Sequence, residues 1–217
     1  MYNSALLDAP SLAILIPSTA GRHPSIFWAM QLKLYQIPFQ HKLLMRTDYA
    51  VDVNREGLAE MALQLGVSHV LWWDDDIWPP NGAVQRMMQH KAPIVSANYV
   101  DKKGWSTAAW FNDQDANIVR ADTTGTGSLL VDMVGLGFCL METRILRQVS
   151  RPWFVYRPEQ SEDAHFFRKV KQELGIPVVL DYQIRCGHEN TALRYPEGWK
   201  AVFEAEQEVA HVAYRPD

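Results

Sequence analysis

Three consecutive carboxylates, Asp74-Asp75-Asp76, close the apolar run Val70-Leu71-Trp72-Trp73. Acids placed one residue apart can share a hard divalent cation, which prefers oxygen ligands and keeps positions open for phosphates. The plainer reading is a solvated acidic turn ahead of Pro79-Pro80, though like charges this close repel unless a cation or water relieves them. A second acidic pair, Glu162-Asp163, follows Ser161 at a helix start. There it could serve as a general base, or only offset the helix macrodipole by about 0.3–1 kcal/mol. Arg55, behind Asn54, could hold a phosphate or stack on a base, or be an ordinary exposed arginine. His188, after Cys186-Gly187, could reach a metal or phosphate, although a lone histidine more often satisfies a local hydrogen bond. His23 and His165 read first as surface residues.

These groups need a frame that gathers them. Leu12-Ala13-Ile14-Leu15-Ile16, closed by Pro17, reads as a buried first strand that opens into a polar loop, Ser18-Thr19-Ala20-Gly21-Arg22. A helix follows over 25–36 and a short strand over 41–46. The next helix, over 54–65, places Leu58, Met61, Ala62 and Leu65 on one face and stops at Gly66. The strand carrying the aspartates comes next, then a short helix over 81–90 and a strand over 93–99. This βαβαβαβ order predicts a mainly parallel sheet flanked by helices, and ligands bind at the carboxyl edge of such sheets. Residues 101–128 read as a hairpin or loop over the sheet edge. From Val131 to Met141 the pattern is one strand interrupted at Gly135 and Gly137, where a ligand or another backbone comes close, or simply a bulge. A helix from Glu162 to Leu174, capped by Ser161 and stopped by Gly175, precedes a strand over 178–184 and a final helix over 197–211.

Composition narrows the partners. A chain of 217 residues with 47% hydrophobic and 21% charged residues suits one α/β domain. A net charge of -4 and no basic tail argue against a nucleic-acid partner. No apolar stretch approaches the roughly 20 residues that span a bilayer. No basic segment precedes Ser4-Ala5-Leu6-Leu7, so no signal peptide is expected. Two cysteines make a disulfide framework improbable, and a reduced, cytoplasmic setting fits. Cys139 and Cys186 have no metal-ligand spacing and read as buried thiols. Of the eight tryptophans, Trp73, Trp78, Trp105 and Trp110 fall nearest the acidic cluster, where they could stack on a sugar or belong to the core.

The ordered set Ile16-Pro17-Ser18-Thr19, Asn54-Arg55, Leu71-Trp72-Trp73-Asp74-Asp75-Asp76, Gly135-Leu136-Gly137-Phe138, Ser161-Glu162-Asp163-Ala164-His165-Phe166 and Cys186-Gly187-His188 resembles glycosyltransferases of the GT-A fold, family 2 type. The likeness runs from about residue 12 to 190. It implies a single Rossmann-like GT-A domain over 1–217, with nucleotide-sugar binding over about 12–100 and acceptor binding and catalysis over about 101–190. The resemblance also implies a DxD motif that holds the diphosphate of a UDP- or GDP-linked sugar through Mn²⁺ or Mg²⁺. Asp76 would be the metal ligand, Asp74 would face the ribose or metal, Asp75 would share in donor binding, and His188 would complete the metal or diphosphate site. Pro17, Ser18 and Thr19, with Arg55 beside them, would hold the nucleoside. Asp163, or Glu162 next to it, would deprotonate the acceptor hydroxyl in inverting transfer, with Gly135 and Gly137 on the acceptor side. The chain has little beyond the core domain, which implies a small acceptor site or one shared with a partner, a homo-oligomer among them.

Three other readings share parts of this pattern. A haloacid-dehalogenase-type phosphatase also sets DxD after an apolar strand, but near the N-terminus, and Ile77-Trp78 fits it poorly. A nucleotidylyltransferase shares sheet and metal, yet Ser18-Thr19-Ala20-Gly21-Arg22 only faintly echoes its Gly-rich basic loop. A non-catalytic sugar- or nucleotide-binding relative would bind without metal and without need of Asp163.

Overall fold

In the computed structural model, residues 11–18, 36–47, 50–101, 107–112, 118–122, 124–189 and 193–194 are described. The first strand, β1 (Leu12–Pro17), is buried at every position. That is what an unbroken apolar run predicts for a parallel strand covered on both faces. It lies between β2 (His41–Arg46) and β3 (His69–Trp73), parallel to both. Beyond β3 come β10 (Phe138–Glu142), β5 (Ile94–Asn98), β11 (Val178–Arg185) and β8 (Ser128–Val131), giving the order β2-β1-β3-β10-β5-β11-β8. β10 runs against both of its neighbours and β8 against β11, so five of the seven strands point one way. The fold is α/β, with a mainly parallel central sheet between helices.

Side chains alternate across that sheet with the strand period of two. Leu12, Ile14 and Ile16, with Leu71, Trp73, Phe138 and Leu140, enter one core, which α2 (Ala83–Gln89) covers with Ala83, Val84 and Met87. Ala13, Leu15, Val70, Trp72, Cys139 and Met141 enter the other. There α1 (Val51–Leu65) contributes Leu58, Ala59 and Ala62, α3 (Thr143–Gln148) contributes Ile145 and Leu146, and α4 (Glu162–Lys169) contributes Phe166 and Phe167. Cys139 and Cys186 are buried in opposite cores.

The expected helix over 162–174 begins as predicted, with the Ser161 hydroxyl accepting from the Ala164 N–H at 3.3 Å. It then widens into a π-helical turn, Val170–Leu174, before Gly175. The helix expected from residue 54 starts at Val51, so Asn54 and Arg55 lie at the end of its first turn. The helix expected over 197–211, and that expected over 25–36 apart from its last residue, lie outside the described residues.

The expected interrupted strand over 131–141 is replaced by three strands in two sheets. β8 stays on the edge of the main sheet, while β9 (Met133–Val134) pairs with β6 (Ala109–Asn112), itself paired with β7 (Ile118–Arg120). The hairpin part of the expectation for 101–128 therefore stands. β10 returns to the main sheet after Gly137. The two glycines are needed because the Tyr99 side chain fills the space where their Cβ atoms would lie. The Tyr99 hydroxyl accepts the Gly137 N–H at 2.9 Å. Insertion of β10 beside β3 then lets the Asp74 N–H donate to the Gly137 carbonyl at 2.8 Å, which docks the glycine turn against the aspartates. On the other side, β4 (Ile77–Trp78) pairs with β12 (Gly187–Glu189), which also pairs with β13 (Leu193–Arg194).

A Cβ at Gly137 would sit 2.9 Å from the Tyr99 ring and 3.0 Å from Ile77 Cγ1, both buried. Gly137→Ala should therefore cost about 1–3 kcal/mol by overpacking, read as a lower denaturant midpoint with the slope unchanged. An unchanged midpoint would show that Tyr99 does not press on this turn.

Candidate functional site

β1, β3, β5 and β11 all end on one side of the sheet, and α1 and α4 begin there. The turn after β3 is closed by the Ile77 N–H donating to the Asp74 carbonyl at 3.1 Å, and the Glu189 N–H donates to the Asp76 carbonyl at 2.8 Å. The three aspartates are thus fixed by backbone and sent in different directions. They open into a cavity of about 480 Å³.

Asp74 turns toward α1, where Arg55 Nη2 donates to its Oδ1 at 2.9 Å and Oδ2 at 3.1 Å. Arg55 Nε donates to Glu162 Oε1 at 3.2 Å and lies 3.6 Å from Asp163 Oδ1. The guanidinium sits 5.5 Å from the centre of the Trp72 ring and is 2% exposed, so the exposed-arginine reading fails. Its charge is raised in persistence by the surrounding carboxylates against the opposing effect of burial. Nη1 is buried and makes no hydrogen bond among the described residues.

Asp75 turns the other way and accepts the Ser18 hydroxyl. Asn54 Nδ2 donates to the Ser18 carbonyl at 3.2 Å, and the Ser18 N–H donates to the Arg46 carbonyl at 2.8 Å. The loop after β1 is thereby tied to both the aspartate turn and α1.

Asp76 faces His188. His188 Nδ1 lies 2.7 Å from the Val100 carbonyl, and a carbonyl only accepts, so Nδ1 carries a proton. The other ring nitrogen, Nε2, lies 3.4 Å from Asp76 Oδ2. In the neutral ring, Nε2 and the carboxylate are two acceptors facing each other, an arrangement that a proton or a cation between or beside them relieves. Histidines that bind metals are oriented in this way, with the remote N–H given to a carbonyl. Among the described residues, no three His, Cys, Asp or Glu side chains converge as a ready-made metal cage.

Asp163, in the first turn of α4, accepts the Leu136 N–H on Oδ2 at 3.1 Å. Its Oδ1 is buried without a hydrogen bond. Burial, reinforced by Glu162 and Asp74 and opposed by Arg55, lifts its pKa from the ordinary 3.8 to about 7. Burial likewise raises Asp74, with Arg55 acting against it. Asp163 is therefore the carboxyl poised to exchange a proton near neutrality.

Pro17, Ser18, Arg55, the three aspartates, Gly135, Glu162, Asp163 and His188 all line this one cavity, so nearly the whole expected set is brought together. Thr19 lies outside the described residues, and Gly137 supports Tyr99 from behind. Of the tryptophans, Trp73 is core, with Nε1 donating to the Ile77 carbonyl at 2.8 Å, whereas Trp110 lines the cavity. Trp105 lies outside the described residues. Tyr99 and Asp101 are wall residues that the sequence reading passed over. Tyr99 ends the expected strand over 93–99, and a residue at the carboxyl end of a parallel strand is a signal that could have found it.

No family model matches this chain, and no curated protein does. Among solved structures it is similar to A197 from STIV, with 21% identity, 83% of this chain and 86% of that one covered, and a TM-score of 0.60. That likeness shows the fold. A second chain, described as a glucose-1-phosphate thymidylyltransferase from Bacillus anthracis in complex with a sucrose, aligns with 9% identity over 82% of this chain and 89% of its own, with a TM-score of 0.47. So loose a likeness does not bear on function. No helix among the described residues is long and apolar enough to cross a membrane.

The raised pKa of Asp163 has a signed consequence. Between the unfolded value near 3.8 and the folded value near 7, the folded chain holds a proton that the unfolded chain has released. The stability tied to this carboxyl is fully present below the lower value and is lost as pH rises through the upper one. Asp163→Asn should remove that slope, so the variant gains stability relative to the wild type as pH rises from 4 to about 7.5. Denaturant titrations at several pH values test this, and a pH-independent difference would return Asp163 to an ordinary carboxylate.

Proposed function

We propose that this protein is a metal-dependent glycosyltransferase that moves a sugar from a UDP- or GDP-linked donor to an acceptor hydroxyl, with inversion. One observation carries the reading: a carboxyl with one oxygen that accepts no hydrogen bond and a pKa raised to about 7 opens into the same cavity as the Asp76–His188 pair. Transfer of a glycosyl group needs these two capacities on either side of one carbon.

The residues divide the work. Asp163 Oδ1 would take the acceptor proton as the acceptor oxygen bonds to the anomeric carbon, while the electrons of the breaking bond leave with the diphosphate. Leu136 N–H and Arg55 hold Asp163 in place, and burial, reinforced by Glu162 and Asp74, keeps its proton affinity high. Ser18, anchored by Asp75, would border the nucleoside. Asp76 and His188, with Asp74 behind them on Arg55, would hold Mn²⁺ or Mg²⁺, and such an ion supplies charge neutralisation for a leaving diphosphate. The donor set fits, because a carboxylate oxygen and an imidazole nitrogen lie 3.4 Å apart at the cavity and the histidine is already turned by the Val100 carbonyl.

The test is a thermal-shift panel of UDP, GDP, CMP and their sugars with Mn²⁺ and then with chelator, in which a ligand at 100 times its Kd stabilises by about 2.7 kcal/mol. One nucleotide should raise the midpoint with Mn²⁺ and lose its effect with chelator. Asp76→Ala should abolish that shift, and an unchanged shift would remove Asp76 from the metal site. Asp163→Asn should keep the shift yet lose at least about a hundredfold in transfer, the lower range for a general base. Normal turnover in this variant would move the base to Glu162 or elsewhere.

A further inference from the structure

The cavity wall away from the aspartate turn is built by residues that the transfer chemistry leaves unused. Trp110, on β6, contributes its half-buried ring, and Asp101 contributes a carboxylate. Arg120, opposite Trp110 in the β6–β7 hairpin, lies 5.3 Å over that ring, and its Nη1 donates to Asp101 Oδ2 at 3.3 Å. One guanidinium thus fixes the aromatic and the carboxylate relative to each other. Trp110 and Asp101 line the cavity and Arg120 does not.

The same wall is mechanically continuous with the base. Trp110 pairs with Met133 across β6–β9, the Gly135 N–H donates to the Ala108 carbonyl at 2.8 Å, and the next N–H, that of Leu136, donates to Asp163. A molecule resting on Trp110 is held by the segment that holds Asp163. The charge of the cavity restricts what that molecule can be. Six carboxylates line it (Asp74, Asp75, Asp76, Asp101, Glu162 and Asp163), against Arg55 and His188. Among the described residues that line the cavity the cationic groups are Arg55 and His188, both at the aspartate end, and Arg120 behind Trp110 is engaged by Asp101.

We propose that Trp110 and Asp101 form the acceptor subsite, and that the acceptor is a neutral saccharide. The apolar face of a pyranose ring stacks on the indole, and its hydroxyls donate to the Asp101 carboxylate, a charge-assisted hydrogen bond. The proposal rests on the transferase reading only for the word acceptor, because saccharide binding at Trp110 is measurable without transfer.

The experiment follows the indole N–H resonances of the ¹⁵N-labelled full chain, with Trp110 assigned by Trp110→Phe. The titrants are the methyl glycosides of glucose, galactose and mannose, the 6-phosphates of the same sugars, and UDP and GDP. At least one neutral glycoside should move the Trp110 resonance saturably, and the matching sugar phosphate should bind at least tenfold more weakly. Asp101→Asn should raise the Kd about tenfold, as expected when a charged hydrogen-bond partner is lost. Trp110→Ala should abolish binding, and if it fails to fold, the Asp101→Asn titration decides alone. The proposal is overturned if no neutral glycoside moves the resonance, if the phosphates bind more tightly, or if only a nucleotide moves it, which would give Trp110 to the donor base. Nucleotide stabilisation without a saccharide response sinks the acceptor subsite and leaves the transferase standing. A saccharide response without nucleotide binding does the reverse.

Discussion

Arg55 carries its charge in a place that water does not reach, and a charge there is tolerable only when it is paired and hydrogen-bonded. Its partners come from distant parts of the chain: Asp74 from the turn after β3, Glu162 and Asp163 from the start of α4. Removing one member of such a cluster leaves the others buried and uncompensated, a penalty of about 3–5 kcal/mol. The carboxyl edge of the sheet can therefore close only in the one arrangement that brings all four groups together. The Trp72 ring beneath the guanidinium adds a cation–π contact and carries the constraint into the core through its edge-on packing with Phe154, which in turn stacks on Phe166 of α4.

This cluster also sets the chemistry of its members. The charge of Arg55 is divided among three acids, so no carboxylate receives all of it. Asp74 takes the two short contacts, and Asp163 keeps the longer one at 3.6 Å. Burial then prevails at Asp163, and its proton affinity rises into the neutral range. Asp74, which takes both short contacts, is raised by burial as well, with Arg55 acting against it.

Beside the cluster, the reversed strand β10 decides what the acids face. Between β3 and β5 it brings the turn Gly135–Gly137 alongside Asp74, and the Leu136 N–H reaches Asp163. Tyr99 fixes that turn through its hydroxyl and packs edge-on against His188 at 5.8 Å, so the two sides of the cavity share one phenol. β6 and β9 extend the wall to Trp110 and Asp101. The cavity consequently has an acidic, histidine-bearing end and an aromatic end, joined by the segment that holds the base.

Much of this was legible in the residues alone where the signal is local. The unbroken apolar run of β1, the Ser161 cap and the stops at Gly66 and Gly175 each depend on neighbours a few residues away, and each appears as expected, whereas of the face expected from Leu58, Met61, Ala62 and Leu65 only Leu58 and Ala62 are buried and Met61 and Leu65 are exposed. The aspartates at the end of β3 and the acids at the start of α4 could be placed at the same sheet edge because strand and helix ends lie there by construction. The sequence could not say that Arg55 is buried, because an arginine after Asn54 has the same local context whether it meets water or three carboxylates. Nor could it split Val131–Met141 between two sheets, since the choice was made by β6 and β3 competing for partners far along the chain. His188 faces Asp76 only because the short ladder β4–β12 pairs residues more than a hundred positions apart. Residue type and local period determined which groups are present and at which edge; long-range pairing and burial, which local sequence does not encode, decided which of them meet and hence which one titrates near neutrality.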